Sequence, residues 1–190
     1  MSRAAELKKL HEEIRACKKC GLWKTRTNAV PGEGTADAKI MFIGLAPGRM
    51  ENLTGRPFIG RAGKLLNELL AIAGLKRREV FITSVLKSML PKNRPPKADE
   101  IEACLPYLKK QIEIIQPKII VLLGDVAMRA VLGKKIGKIT EIHGKIIERN
   151  GKIYFPTYHP AAGLRSAKIK RKQLESDFKK LKQIVKKLKG

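Results

Sequence analysis

The sequence predicts an α/β fold, a three-layer sandwich around a central four-stranded parallel sheet. Two observations lead to this prediction. Short apolar runs rich in Ile and Val recur along the chain, and amphipathic helical patterns lie between them. Continuous apolar runs bounded by Gly, Pro or charged residues are typical of strands that are buried on both faces. The 190 residues suit a single domain, 1–190, because a domain takes about 100–200 residues.

Strands and helices are predicted in alternating order. The strands are Lys39–Ala46, Val80–Leu86, Lys118–Gly124 and Ile153–Tyr158. The helices are residues 4–16, Arg61–Gly74, Ala98–Gln116, Asp125–Leu132 and residues 167–190. The longer helices carry apolar residues three or four positions apart, which is the spacing of one helical face. An Asn150-Gly151 turn indicates that Ile142–Glu148 pairs with the last strand as a hairpin.

The chain carries a net charge of +24, from 41 Lys and Arg against 17 Asp and Glu. An excess of this size favours a polyanionic partner, nucleic acid first and an anionic membrane surface second. The basic C-terminal helix, residues 167–190, has ten Lys or Arg and two acids beside an apolar stripe that needs cover. Its charged face either tracks phosphates or is simply solvated. The composition of the chain, with only four Gln and many Ile, Lys and Glu, is similar to that of thermophilic proteins.

Several classes of protein are disfavoured by the sequence. Apolar stretches fall well short of the roughly 20 residues needed to span a bilayer, so no membrane span is expected. The first ten residues are charged rather than apolar, unlike a secretory signal. Three cysteines without an export signal do not make a disulfide framework. We therefore expect a cytoplasmic protein and a monomer.

Polar and aromatic residues gather at the predicted carboxyl ends of the strands, where ligands bind in open α/β sheets. Glu51 and Phe58 lie in the loop after the first strand, and Ser84 ends the second. His159 and Arg165 follow the fourth strand. The sequence therefore predicts a functional site at this edge of the sheet.

Spaced motifs run through nearly the whole chain. They are Cys17-x-x-Cys20, Gly44-x-Ala46-Pro47-Gly48, Thr54-Gly55-Arg56-Pro57-Phe58-x-Gly60-x-Ala62-Gly63, Asn93-Arg94, Cys104-Leu105-Pro106-Tyr107-Leu108, and His159-Pro160 with Leu164-Arg165. In this order they resemble the family 4 uracil-DNA glycosylases, the iron–sulfur branch of their superfamily. Any one motif alone is a weak signal, but their agreement in order and spacing is specific.

The resemblance implies removal of a deaminated base, uracil first, by hydrolysis of the N-glycosidic bond in DNA, leaving an abasic site. Such a base must leave the helix stack and enter a pocket. By the family pattern, His159 donates to the base oxygen, Glu51 holds the attacking water and Phe58 stacks on the base. Without the resemblance, each residue has a purely structural interpretation. His159 is then a core histidine that caps the strand end, Glu51 is a solvated acid in a loop, and Phe58 is an ordinary core residue.

Further positions are assigned from the same resemblance. The Gly44–Gly48 turn, which includes Leu45 and Ala46, brings backbone amides close to the base and phosphates. Arg56, Arg165 and the loop 161–166 are assigned to DNA. Family 4 carries Glu at the position of Leu45 and Asn at the position of Ser84; both residues here look more like family 5, which accepts more deaminated bases. Because serine cannot bond the base edge in the bidentate way of asparagine, we expect a wider base range beside uracil.

A [4Fe–4S] cluster with four ligands is also implied by the resemblance. Cys17, Cys20 and Cys104 match three of the ligands, and Ser88 stands where the family has the remaining cysteine. Three thiolates can hold a cubane with another ligand on the fourth iron, such as the Ser88 oxygen. A [3Fe–4S] cluster, zinc and a redox Cys-x-x-Cys pair remain open. The expected role is structural: the cluster pins residues 1–38, the N-terminal helix and cluster-binding segment, to the loop after the second strand.

These observations together predict a monofunctional DNA glycosylase. A lyase step would need a lysine at the sheet edge, for which Lys87 is the candidate. Two alternatives from other classes stay open: a damaged-base or nucleic-acid binding module that has lost catalysis, and a thiol- or metal-centred redox protein. Turnover that depends on His159 argues against the first, whereas activity that follows Cys17 and Cys20 would identify the second.

Overall fold

In the computed structural model, which describes residues 1–165 and 167–190, a five-stranded sheet forms the middle layer. Its strands are β1 (Ile40–Gly44), β2 (Phe81–Ser84), β3 (Ile119–Leu123), β4 (Ile147–Arg149) and β5 (Lys152–Thr157), in the spatial order β2-β1-β3-β5-β4. The four predicted strands are parallel, as expected, and the short β4 adds an antiparallel edge. The predicted strand count of four is therefore too low by one.

The hairpin at the sheet edge is shorter than predicted. Of the predicted segment Ile142–Glu148, strand pairing begins only at Ile147, because a helical turn ends at residue 142. Asn150 and Gly151 form the tight turn, with φ angles of 51° and 74°. Positive φ at both central positions is what this two-residue hairpin turn requires, so the predicted turn is confirmed.

Eight α-helices flank the sheet within the described residues. They are α1 (Arg3–Arg15), α2 (Arg49–Thr54), α3 (Arg61–Ile72), α4 (Ala98–Ile115), α5 (Asp125–Leu132), α6 (Ile139–Ile142), α7 (Pro160–Arg165) and α8 (Ala167–Lys189). The five predicted helices are confirmed, but α2, α6 and α7 are too short for a period to reveal them. α7 occupies the segment that the sequence suggests is a DNA-facing loop, 161–166, whose last residue lies outside the described residues.

Helices cover both faces of the sheet, which confirms the three-layer arrangement. α3 and α8 pack on one face, around Phe42, Phe155 and Phe178. α1, α4 and α5 cover the other face, where Met41 and Ile120 are buried. Because successive strand residues point to opposite faces, strands covered on both sides need apolar residues at every position.

The basic C-terminal helix α8 is docked rather than free. Leu174, Phe178 and Leu181 are fully buried in the layer beneath it, so the apolar stripe is covered as predicted. Most of its lysines are exposed, whereas Lys170, Arg171 and Lys182 are half-buried. In the described part of the chain, none of the helices is both long enough and apolar enough to cross a lipid bilayer.

A buried polar group ties α8 to the end of β5. This group, the Asp177 cluster, consists of Asp177 on α8, Thr157 at the end of β5, and His143. Thr157 Oγ1 and His143 Nδ1 both donate to Asp177 Oδ2, at 2.6 Å and 2.8 Å. A buried carboxylate is tolerated only when donors satisfy it. The cluster therefore fixes the strand backbone two residues before His159.

Candidate active site

A cleft of about 450 Å³ opens at the carboxyl ends of the parallel strands. This cleft, called the pocket below, has the volume of a small-molecule site and lies beside β1 and β3, where the strand order changes direction. The site residues predicted from the sequence that line it are Leu45, Ala46, Glu51, Phe58, Ser84, His159 and Arg165. The sheet edge thus brings together side chains that are far apart in the sequence.

His159 follows β5 and has a defined tautomer. Its Nδ1 atom accepts a hydrogen bond of 3.0 Å from the backbone N–H of Ala161. Because a backbone N–H only donates, the ring proton of the neutral imidazole is on Nε2. Burial, with a smaller contribution from Arg165, lowers the pKa of His159 to about 4. At neutral pH this histidine is therefore an uncharged N–H donor at the pocket.

The Phe58 ring forms the wall of the pocket beside His159. The two ring centroids are 5.5 Å apart, with an interplanar angle of 29°. A Cβ atom at position 44 would come within 2.6 Å of the Phe58 ring, so the ring needs glycine there. The backbone of Phe58 is left-handed, with a φ of 47°, which costs a residue with a side chain on the order of 1–3 kcal/mol. Surrounding contacts must therefore hold this conformation.

Glu51, on α2, is anchored by backbone amides. Its Oε1 atom accepts from Gly48 N at 2.9 Å, while Oε2 accepts from Gly60 N at 2.8 Å and from Ile59 N at 3.3 Å. A carboxylate offers about four acceptor positions. One position on Oε1 is therefore left for a water molecule or a substrate group. The place of Glu51 after the first strand predicts that it lies at the pocket, but not that residues 59–60 fold back and anchor it.

The two positions that depart from the family 4 pattern lie at the ends of β1 and β2. Ser84 is 6% exposed and Leu45 is half-buried, and both line the pocket. The strand ends are tied together by hydrogen bonds of 2.9 Å from Val85 N to the Gly44 carbonyl and from Leu86 N to the Leu45 carbonyl. These hydrogen bonds fix the backbone. At these two positions the pocket is lined by the hydroxyl of Ser84 and the apolar side chain of Leu45.

Lys87 is buried beneath this edge of the sheet rather than in the pocket. Its Nζ atom donates to Thr83 Oγ1, the Ser84 carbonyl and Gln111 Oε1, at 2.6–2.7 Å. Burial lowers the pKa of the Lys87 ammonium to about 7. Lys87 is 2% exposed and does not line the pocket, so this amine is not placed to attack a sugar.

Polar residues without a role in the sequence prediction also line the pocket: Asn93, Arg94 and Asp125. Arg94 pairs through both terminal nitrogens with the buried carboxylate of Glu100. Asp125 accepts from Ile139 N at 3.3 Å. The Asn93-Arg94 motif and the acid after β3 are visible in the sequence, but neither reveals which side chains reach the pocket.

The two arginines assigned to DNA differ in their surroundings. Arg165 is exposed and lies at the pocket. Arg56 does not line the pocket, and its guanidinium binds both carboxylate oxygens of Glu33, at 2.7 Å and 2.9 Å. These bonds hold the pKa of Glu33 below its usual range. Contact between Arg56 and DNA therefore stays a prediction, while its contact with Glu33 is observed.

The cysteines lie where two small hydrophobic clusters meet. Cys17 and Cys104 pack against one cluster, which contains Ile14 and Tyr107, whereas Cys20 and Cys104 pack against the other. All three are half-buried free thiols. Burial raises the pKa of the Cys104 thiol, and the neighbouring Lys87 opposes that rise. Cys104 is the thiol that both clusters share.

The donors in this region fit an iron–sulfur group only in part. Three thiols supply the soft sulfur ligands that such a group takes. The hydroxyl of Ser88 accepts a hydrogen bond of 3.1 Å from Arg26 Nη1, so a cation contacts the oxygen expected to be the fourth ligand. Within residues 1–165 and 167–190, no three His, Cys, Asp or Glu side chains are already arranged as a metal site. The donor types suit a three-thiolate group, and the contacts of Ser88 do not suit a fourth ligand.

The chain belongs to the uracil DNA glycosylase superfamily, because residues 31–188 match the model of that family. This match includes all the strands and every pocket residue except Val30. A type-4 uracil-DNA glycosylase of Sulfurisphaera tokodaii is 51% identical over 187 residues, which cover 94% of this chain and 84% of the relative. One of Saccharolobus solfataricus is 50% identical over 182 residues, covering 92% and 84%.

Similarity to the type-5 enzymes is lower. A type-5 uracil-DNA glycosylase of Pyrobaculum aerophilum is 32% identical over 177 residues, which cover 84% of this chain and 77% of the relative. The predicted resemblance to family 4 is thus confirmed, and the family 5 character of Leu45 and Ser84 stays a prediction.

Proposed function

We propose that this protein is a DNA-repair glycosylase that hydrolyses the N-glycosidic bond of uracil in DNA and leaves an abasic site. The observation that carries the proposal is the uncharged tautomer of His159 at the pocket, stacked beside Phe58. Relatives at 45–51% identity are named type-4 uracil-DNA glycosylases, which supports the same activity here.

The pocket receives the base after it leaves the helix stack. The base stacks on the Phe58 ring, and His159 Nε2–H donates to its oxygen. As the glycosidic bond breaks, negative charge develops on the departing base, and a donor held in place beside it stabilises that charge. Because His159 is uncharged at neutral pH, it acts as a hydrogen-bond donor and keeps its proton.

Glu51 acts on the sugar side of the breaking bond. The sugar becomes positively charged as the base departs, and a nearby carboxylate favours that charge. Three backbone amides fix the carboxylate, and its remaining acceptor position on Oε1 orients the attacking water.

DNA binding depends on the basic surface. A net charge of +24 supplies attraction to phosphates that weakens steeply as salt is added. Arg165, exposed beside the pocket, is the contact nearest the flipped base, and the exposed lysines of α8 extend the basic surface. The single domain, the monomeric state and the cytoplasmic location stay predictions.

The range of bases depends on Ser84 and Leu45. Asparagine can offer a donor and an acceptor together to one base edge, whereas serine has a single small hydroxyl. We infer that the pocket accepts uracil first and other deaminated bases at lower rates. The change Ser84→Asn is then expected to narrow this range.

Cys17, Cys20 and Cys104 are proposed to hold an iron–sulfur cluster with a structural role. When bound, such a group would link the segment after α1 to α4 through iron–thiolate bonds. Nothing in the base-excision steps above passes through it.

Excision from labelled duplexes tests the proposal. Each duplex carries one uracil, hypoxanthine, xanthine or thymine, and abasic sites are revealed by alkaline cleavage. We expect uracil to be released fastest, and we expect His159→Ala to lower its release by about 10²–10³-fold while DNA affinity stays within about twofold. Binding to DNA without release of any base would contradict the proposal and leave a damaged-base binding module.

A further inference from the structure

Arg77 lies behind the pocket and contacts the strained backbone that carries Phe58. We propose that Arg77 is a positioning residue: it holds Phe58, and through Phe58 the flipped base, in the stacked arrangement. The part that concerns the base rests on the proposed function. The part that concerns Phe58 stands on the geometry alone.

The guanidinium of Arg77 bridges two consecutive backbone carbonyls. Its Nη1 atom donates to the Phe58 carbonyl at 2.9 Å, and its Nη2 atom donates to the Pro57 carbonyl. The planar fork of the guanidinium carries donors on both terminal nitrogens, so it serves both oxygens at once in a fixed geometry. Arg77 therefore sets the direction of both carbonyls that flank the φ and ψ angles of Phe58.

A second contact, with Gly63 of α3, restricts the position of the Phe58 carbonyl. A Cβ atom at Gly63 would lie 1.8 Å from the Phe58 oxygen, so α3 approaches this carbonyl more closely than any other residue type permits. With Gly63 on one side and Arg77 as donor, the left-handed φ of Phe58 is determined by its surroundings.

Arg77 is itself held by two further elements. Its Nη1 atom donates to Asn67 Oδ1 on α3 at 3.0 Å, and its Nε atom lies 3.4 Å from Glu33 Oε1. Glu33 also binds Arg56 and pairs through its backbone with Ile82 of β2. The support of Phe58 is thus connected to α3 and to the sheet.

Loss of the fork frees the carbonyls of residues 57 and 58. Phe58 then relaxes toward negative φ, which swings the ring away from Gly44 and His159. Stacking of the base and its alignment with the His159 donor both suffer, whereas contacts to the DNA backbone do not change. A small displacement of this kind lowers a rate without removing any group that reacts.

The first experiment needs no excision. The chain has three histidines, so the Cε1–H signals of their rings can be assigned by NMR. We expect Arg77→Lys and Arg77→Ala to shift the His159 signal, because the Phe58 ring beside it moves, and to leave the His143 signal unchanged. The matched control is Arg78→Ala, which removes the same charge from an exposed neighbour. An unshifted His159 signal in both Arg77 variants would overturn the proposal.

The second experiment is a double-mutant cycle on single-turnover excision of uracil. Arg77→Lys, which keeps the charge and favours folding, should lower the rate by about tenfold in the wild-type background. In the Phe58→Ala background it should lower the rate by less than about twofold, because the ring that Arg77 holds is gone. If the double variant lost rate by the product of the two single-variant factors, Arg77 would not act through Phe58, and the proposal would be overturned. If the wild-type protein excises nothing, the proposed function fails, while the NMR result still decides the role of Arg77.

Discussion

Two histidines near the end of β5 use the same ring nitrogen in opposite ways. In the pocket, Nδ1 of His159 accepts from a backbone N–H. In the Asp177 cluster, Nδ1 of His143 donates to a buried carboxylate. His143 has the acidic partner that is usually sought beside a reactive histidine, yet it does not line the pocket, whereas His159 does.

The group that contacts Nδ1 determines what each histidine can do. A carboxylate that accepts from Nδ1 fixes the ring proton on that nitrogen and leaves Nε2 as an acceptor in the neutral ring. A backbone N–H on Nδ1 favours the neutral ring with its proton on Nε2, which suits hydrogen-bond donation to a developing anion. The chemistry proposed for this protein needs the second kind.

The largest expected effect separates the two histidines directly. His159→Ala should lower single-turnover excision of uracil by about 10²–10³-fold, the loss typical of removing one donor to a developing anion. His143→Ala should stay within about fivefold of the wild type when measured well below its unfolding temperature. Equal losses in the two variants would contradict the distinction.

Two carboxylates, the half-buried Glu51 and the buried Asp177, extend the comparison, and the one in the pocket is expected to matter for rate. Glu51→Gln should lower single-turnover excision by about 100-fold, because an amide orients water poorly and does not offset positive charge on the sugar. Glu12→Gln, at an exposed position on α1, is the charge-matched control and should leave the rate unchanged. A Glu51→Gln rate within twofold of the control would remove Glu51 from the proposed mechanism.

The carboxylate of the Asp177 cluster is expected to matter for stability instead. Asp177→Asn should lower the free energy of unfolding by about 1–3 kcal/mol, because two donors lose a buried charged acceptor. Urea denaturation measures this loss, and Glu175→Gln, on a more exposed side of α8, should cost less than about 1 kcal/mol. Excision per folded molecule should be retained in Asp177→Asn. If it fell as far as in His159→Ala, the cluster would belong to the reaction.

The smallest expected effect is on the pH dependence of the rate. Since the pKa of His159 is about 4, its neutral form dominates from pH 8 down to about 5.5. The single-turnover rate should therefore change by less than about threefold over that range and fall only near pH 4. A rate that falls with an apparent pKa near 6.5 would mean that His159 is not buried as described.

Stability should respond to pH sooner than the rate does. Burial lowers the pKa values of both His11 and His159 from 6.5 to about 4. Below pH 6.5 the unfolded chain takes up protons that the folded chain refuses, so the free energy of unfolding decreases as pH falls from about 6.5 to about 4. Above that window the two histidines contribute no pH dependence to the free energy of unfolding. Urea midpoints across pH 4–8 test this, and a flat profile would contradict it.

Much of the site could be predicted because it lies where strands end. Apolar runs locate β1, β2, β3 and β5, and parallel strands must meet at one edge, so the residues that follow them converge. Glu51, Phe58 and His159 were expected at this edge and line the pocket, while their roles in the reaction stay predictions. The short helices α2 and α7 were not, because fewer than two helical turns leave no period to detect.

Hydrogen bonds between residues that are distant in the sequence could not be predicted. Arg77 and Phe58 are 19 residues apart, Glu33 and Arg56 are 23 apart, and His143 and Asp177 are 34 apart. No local spacing rule relates such pairs, and an arginine assigned to DNA proves to be paired with a carboxylate. A hydrogen bond depends on ångström distances that only the packed chain defines.

From the sequence alone came the α/β class, the parallel strands, the edge of the sheet that carries the pocket and several of the side chains that line it. These follow from hydrophobic period and from the geometry of parallel strands, which are local or nearly local properties. Tertiary structure alone decided the tautomer of His159, the anchoring of Glu51, the strained backbone of Phe58 and the burial of Lys87 away from the pocket. Those depend on which groups meet after folding, because hydrogen bonding and desolvation act only between atoms that the fold has brought together.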